Sequence, residues 1–298
     1  MPARPLPPRF AAMIAPARAR PALWRLAPGL LLLAMVYLGL NAAIWAAYGL
    51  SAGWDRAEML LAKLAVASTP ATALILLASF APMALGAALA ARLMHRRPLR
   101  SLTGPGGVLL RHAGIAGLVG LAVYTPALGL WHLAQDSQPN LPPGLWARLL
   151  PLTLAAIALQ TFAEELVFRG YLQGQLAVRF ARPLIWAGLP ALVFGALHHD
   201  PARMGDGALA AVIAAVIFGL LAADLTARTG SIGAAWGLHF VNNTAAIALL
   251  ATPGTITGLG LRVTPYTVQD LGWSPIGTLT DLIPLVLSWL ILRRILPR

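Results

Sequence analysis

Glu164, Glu165 and Arg169 stand in the run from Phe162 to Gly170, at the end of an otherwise apolar segment. A charged side chain at the centre of a bilayer helix costs roughly 2.5 to 3.5 kcal/mol on insertion scales, so an acid pair and an arginine within one turn and a half mark a site. His198 and His239 sit in two further apolar segments, and Asn243 follows the second histidine by four residues. Acids, histidines and an amide from separate apolar helices suggest a buried hydrolytic centre.

Helical spacing sorts these residues into faces. Glu165 and Arg169 are i,i+4 neighbours and can pair, whereas Glu164 is turned by about 100° and left free of that partner. Phe194 and His198 share one stripe of their segment, and His239 and Asn243 share one stripe of theirs. Asn242, at i,i+3 from His239, is a competing amide, and His199 competes with His198.

The elements that must position these groups are apolar spans. Of 298 residues, 58% are hydrophobic and 11% charged, which is too apolar for a soluble domain and reads as a polytopic membrane protein. Crossing a hydrocarbon core of about 30 Å takes roughly 20 residues of helix. Eight runs qualify or come close: Gly29 to Leu50, Val66 to Met94, His112 to Ala134, Leu149 to Val178, Leu184 to His199, Ala208 to Ala227, Ser231 to Leu250 and Ile276 to Leu296. The fifth is short. Connectors such as Gln138 to Gly144 and Thr252 to Pro275 read as loops.

A net charge of +12 could point to nucleic acid, but the basic residues are scattered between apolar runs without an aromatic-studded face, so no nucleic-acid partner is expected. With no cysteine, disulfides and thiolate metal sites are excluded. The first 28 residues form a basic, proline-rich tail, expected to be disordered or to lie on lipid headgroups. The run that follows reads as a first anchor rather than a cleavable leader. Counted by loop with the amino terminus inside, Arg4, Arg97, Arg298 and most other basic residues fall on the cytoplasmic side. Only Arg56, Lys63, Arg148, Arg203 and Arg262 fall outside. Both termini are therefore expected in the cytoplasm. With Trp146 and Trp186 as interface markers, Glu164 and His239 lie about 12 Å and His198 about 18 Å from the cytoplasmic edge, close enough to meet.

Glu164-Glu165-x-x-x-Arg169, Phe194-x-x-x-His198 and His239-x-x-x-Asn243 resemble, in that order, the three motifs of the CPBP family, the type II CAAX prenyl endopeptidases and bacteriocin-processing or Abi-like self-immunity proteins. The likeness extends to Phe168 to Gln173, to Arg228 to Ile232, and to an upstream loop from Arg97 to Gly104. It covers mainly Leu149 to Leu250. It implies an intramembrane endopeptidase acting near the cytoplasmic side. Glu164 would activate the attacking water with His198, Glu165 and Arg169 would hold the helix end, and His239 with Asn243 would stabilise the oxyanion. His239 is alternatively a metal ligand: His198, His239 and Glu164 can make an open zinc site, while a glutamate can also act as base without metal. The H-E-x-x-H helix of common zinc proteases is absent.

Blander readings stand beside these. Glu165 and Arg169 can be a structural ion pair with Arg169 snorkelling, and His239 can be an interhelical hydrogen-bonding residue. His95, His112 and His132 read as interface residues, Asp224 as a partner or cap for Arg228, and the nine tryptophans as belt anchors. A transporter or proton relay is the rival from another class. It requires a matching acid in the first half, where Asp55 and Glu58 fall in a loop. A catalytically silent scaffold or immunity protein of the same fold is the second rival.

The expectation is an all-α membrane protein of about eight transmembrane helices. The tail covers 1–28, the transmembrane domain 29–298 and the catalytic core about 149–250, with the site between the fourth, fifth and seventh helices. Its partners are the lipid bilayer and a membrane-associated protein or peptide substrate, lipidated or not. An Ala- and Arg-rich composition suggests a bacterial inner membrane.

Overall fold

The computed structural model describes residues 6–270 and 282–297. Arg4, Arg298 and residues 271–281, which include the start of the eighth expected span and the end of the connector Thr252 to Pro275, lie outside the described residues.

The chain is helical almost throughout, as its apolar runs dictate. A short α1 (Pro8–Met13) precedes the long α2 (Leu26–Ala52), α3 (Trp54–Val66), α4 (Pro70–Ala78) and α5 (Ala81–His95). After α6 (Arg100–Thr103) and α7 (Gly106–Ala134) comes α8 (Pro143–Glu165), which runs on through a π-helical stretch, Leu166–Gln173, into α9 (Gly174–Ala177). A second π stretch, Leu184–Gly188, leads into α10 (Leu189–Ala196). Then follow α11 (Pro201–Met204), α12 (Ala208–Thr229), α13 (Gly233–Asn243) with a π extension at Thr244–Leu249, and α14 (Ile283–Ile295). Two-residue strands β1 (Gln138–Pro139), β2 (Leu250–Ala251) and β3 (Arg262–Val263) pair in the order β1-β3-β2, tying together two connectors that the sequence marks only as loops.

Among the described residues, five helical segments are long and apolar enough to cross a bilayer: Leu23–Ala52, Pro70–His95, Arg100–Ala134, Pro143–Ala177 and Pro201–Thr229. The protein is an all-α, multi-pass membrane protein. The expectation of eight spans is corrected in two places. The fifth run ends at Ala196, where His198, His199 and Asp200 take over. The seventh is the 11-residue α13 plus a six-residue π turn. These short elements gather around the polar centre, where the helices must carry side chains that lipid cannot accommodate.

The amino-terminal segment also departs from expectation. Phe10 and Ile14 are wholly buried, and with Met13 they join the main core beside Trp186, whose ring lies 5.7 Å from that of Phe10. Three large apolar side chains in a basic stretch thus dock it against α12 instead of leaving it disordered. Trp186 is accordingly core, not an interface marker. Asp55 and Glu58 lie on the exposed side of the amphipathic helix α3, not in a loop. His95 and His112 are buried rather than interfacial, His95 being held by the Tyr171 hydroxyl at 2.9 Å and the Arg20 carbonyl. Asp224 pairs with Arg293 of α14 at 3.1 Å and accepts a hydrogen bond from Trp289, so its partner is distant in sequence.

Tight packing of α13 on α7 brings His239 to its place. A Cβ at Gly237 would lie 2.4 Å from the Ala113 carbonyl oxygen, and one at Gly233 would lie 2.2 Å from that of Leu109. Backbones approach this closely in membranes only where small residues line the contact. Gly230 (φ +66°) ends α12 in the left-handed region and turns the chain into α13, with the Arg9 backbone against it. Gly237→Val is expected to destabilise the protein by roughly 1 to 3 kcal/mol through overpacking. Unfolding in detergent followed by tryptophan fluorescence measures this, and an unchanged midpoint would contradict the packing account.

Candidate functional site

Glu164 and Glu165 occupy the last two positions of α8, directly before the π stretch. Such π turns often occur at functional sites, because the widened turn redirects side chains and frees backbone carbonyls. Arg97 meets these carbonyls. It is buried, and donates to the carbonyl of Gly170 at 3.0 Å, to that of Tyr171 at 3.4 Å and to Ser101. Burial lowers its guanidinium to about 10, which leaves it protonated at neutral pH. The sequence counts Arg97 among cytoplasmic loop charges; the fold uses it as an internal clamp.

Glu165 is fully buried and pairs with Arg169, with Nε at 3.2 Å from Oε2, as the i,i+4 spacing requires. Its other oxygen, Oε1, accepts from His239 Nδ1 at 2.9 Å. His239 Nε2 lies 3.5 Å from Glu164 Oε2, so the imidazole stands between both acids. Glu165 is therefore more than a partner for Arg169, because it also sets the ring of His239.

Arg169 presents a further means of compensating buried charge. Its Nη1 and Nη2 have no hydrogen-bond partner, but the guanidinium carbon lies 4.8 Å from the Phe194 ring centroid, 5.2 Å from that of Phe218 and 5.8 Å from that of Phe168. Aromatic faces stabilise a desolvated cation by about 2 kcal/mol or more. Phe218 also packs on His239, with centroids 4.4 Å apart. Arg169 thus stays buried rather than snorkelling.

A cavity of about 310 Å³ opens against this cluster, lined by Gln160, Glu164, His198, His239 and Asn243 among its polar groups and by Phe194, Phe218 and Leu285 among its apolar ones. His198 follows the end of α10, is exposed, and is oriented by a 2.8 Å hydrogen bond between Nδ1 and the Phe194 carbonyl. His199 does not line the cavity, while Asn242 does, beside Asn243. Of the six expected site residues, Glu164, His198, His239 and Asn243 face this one space, and Glu165 and Arg169 lie buried beside it. The walls come from α8, α10 and α13 as expected, and also from α12 and α14.

No motif singles out Gln160. It is buried, accepts a hydrogen bond from Asn243 Nδ2 at 3.0 Å and lies one turn before Glu164, a spacing that is the available clue. Phe218 carries no such signal, being one apolar residue within an apolar run. As for metal, Glu164, His198 and His239 do not form a cluster of three donors at ligand spacing among the described residues.

Residues 146–245 match the family model described as type II CAAX prenyl endopeptidase Rce1-like. In sequence, this segment is similar to that family. The chain is also 30% identical over 162 residues to the uncharacterized protein YyaK of Bacillus subtilis (strain 168), covering 53% of this chain and 54% of that one. It therefore spans about half the length of the curated relative it matches. No solved structure matches. The matched segment contains every candidate site residue.

Losing one member of the buried pair should cost more than losing both. Arg169→Met leaves the Glu165 carboxylate without its cation and is expected to destabilise the protein by roughly 3 to 5 kcal/mol. The double variant Glu165→Gln, Arg169→Met should recover much of that loss. Thermal unfolding of the three proteins in the same detergent checks this, and additive losses would refute the pairing account.

Proposed function

We propose that this protein is an intramembrane endopeptidase that hydrolyses a peptide bond in a membrane-associated protein or peptide. The observation that carries the reading is the convergence of Glu164, His198, His239 and Asn243, from three separate segments, on one partly enclosed cavity. Water bound there is within the domain of a carboxylate at the wall and an imidazole at the mouth, the arrangement needed for general-base activation of a nucleophile.

In this reading Glu164 takes the proton of the attacking water, with His198 orienting that water from the exposed side. As the carbonyl carbon becomes tetrahedral, its oxygen gains negative charge. His239 Nε2 and the Asn243 amide are the donors offered to it, and donors fixed in advance stabilise such charge most effectively. The geometry favours this role for His239, whose ring lies between the two acids. Glu165 then holds Nδ1 and leaves Nε2 for the reaction. The proton taken by Glu164 passes to the leaving amine as the peptide bond breaks, restoring the carboxylate.

Further parts of the proposal are the sidedness and the substrate. From the count of basic loop residues we propose that both termini lie on the cytoplasmic side of a bacterial inner membrane. Apolar walls from α12 and α14 beside polar catalytic groups suit a peptide presented by a lipid-embedded or lipidated substrate.

Membrane peptides from cells expressing the parent, Glu164→Gln or His239→Ala supply the test. Removal of a general base typically costs about 10²- to 10⁴-fold, so products present in the parent should vanish in Glu164→Gln. His239→Ala and Asn243→Ala should each lose about 10²- to 10³-fold as missing oxyanion donors. Identical peptide profiles in parent and variants would remove the peptidase reading. Elemental analysis of the purified protein with chelator titration decides whether His198, His239 and Glu164 hold a zinc ion in the active form. Stoichiometric zinc with chelator-sensitive cleavage would replace the carboxylate-only scheme.

A further inference from the structure

Behind the cavity runs a file of hydrogen bonds that the motif residues do not explain. The Tyr124 hydroxyl on α7 donates to Asn242 Oδ1 at 2.8 Å. Asn242 Nδ2 donates to Asn243 Oδ1 at 3.2 Å, and Asn243 Nδ2 donates to Gln160 Oε1 at 3.0 Å. Gln160 stands one helical turn before Glu164 on α8, and both line the cavity. Tyr124 and Gln160 are buried, so water does not readily substitute for a missing partner.

A primary amide has one accepting end and one donating end. In a file of amides, the orientation of each therefore dictates the orientation of the next. Gln160 accordingly turns its oxygen to Asn243, Asn243 turns its oxygen to Asn242, and Asn242 turns its oxygen to the one hydroxyl in the row. Tyr124 closes the file because a hydroxyl can supply the donor that the last carbonyl needs. With Oδ1 held by Asn242 and one N–H spent on Gln160, Asn243 keeps a single N–H of fixed direction on the cavity side.

We infer that Tyr124, Asn242 and Gln160 are positioning residues for the reaction, orienting the Asn243 amide donor through one unidirectional hydrogen-bond file from α7 across α13 to α8. This rests on the peptidase reading above. A phenylalanine at position 124 keeps the ring and its packing with Val241 and Ala245, removing only the hydroxyl. The Asn242 carbonyl is then unsatisfied, and its amide gains freedom to rotate.

The test uses the full-length protein in lipid nanodiscs and a fluorogenic peptide spanning a cleavage site that is lost in Glu164→Gln membranes. Tyr124→Phe is expected to lower kcat by about 5- to 30-fold while KM changes less than about twofold, the scale of one network hydrogen bond expressed as rate. Asn242→Asp, which cannot donate to Asn243, should produce a comparable kcat loss. In an Asn243→Ala background the Tyr124→Phe effect should disappear, since the donor it orients is gone. Unchanged kcat in Tyr124→Phe, a change confined to KM, or an undiminished loss in the Asn243→Ala background would overturn the positioning role. Cleavage that survives in Glu164→Gln would instead overturn the peptidase reading itself, which separates the two failures.

Discussion

Compensation of buried charge governs this structure. Glu164, Glu165, Arg169 and His239 lie within a bundle whose other residues are overwhelmingly apolar, and an isolated ion there is far more costly than an exposed one. Glu165 is the hub: one oxygen meets Arg169 and the other meets His239. Aromatic faces lie over the guanidinium of Arg169. A pair that looks merely structural in isolation therefore sets the imidazole that faces the cavity, so stabilising the fold and preparing the site are one task.

That constraint explains the shapes of the neighbouring elements. The helix bearing the acids widens into a π stretch immediately after them, and Arg97 meets the carbonyls of Gly170 and Tyr171. The helix before His198 ends early, placing that imidazole in a turn at the cavity mouth rather than inside a continuous span. Glycines at 233 and 237 let α13 lie against the backbone of α7, which carries His239 and Asn243 toward α8. The polar centre joins the acids at the end of the long helix α8 to the histidines of the shorter segments around α10 and α13.

The motifs exposed the site more clearly than the membrane topology. The i,i+4 relation of Glu165 and Arg169 survives folding because it is local. Span counting failed at the fifth and seventh runs because hydropathy measures the cost of leaving water, and apolar residues packed around a cavity carry the same signal as residues facing lipid. The basic tail misled for the converse reason: its charge dominates its composition, while Phe10, Met13 and Ile14 determine where it docks.

Residue types and helical periods thus determined the class of the protein, the polar stripes on three segments and five of the expected bilayer-length helices, since each depends on neighbours within a few turns. Tertiary structure decided that His239 stands between Glu164 and Glu165, that Phe218 joins Phe194 over Arg169, and that Tyr124 reaches Asn242 from 118 residues away. Those arrangements depend on which helix backbones can approach closely enough for buried polar groups to satisfy one another, a property of the packed bundle and not of any one segment.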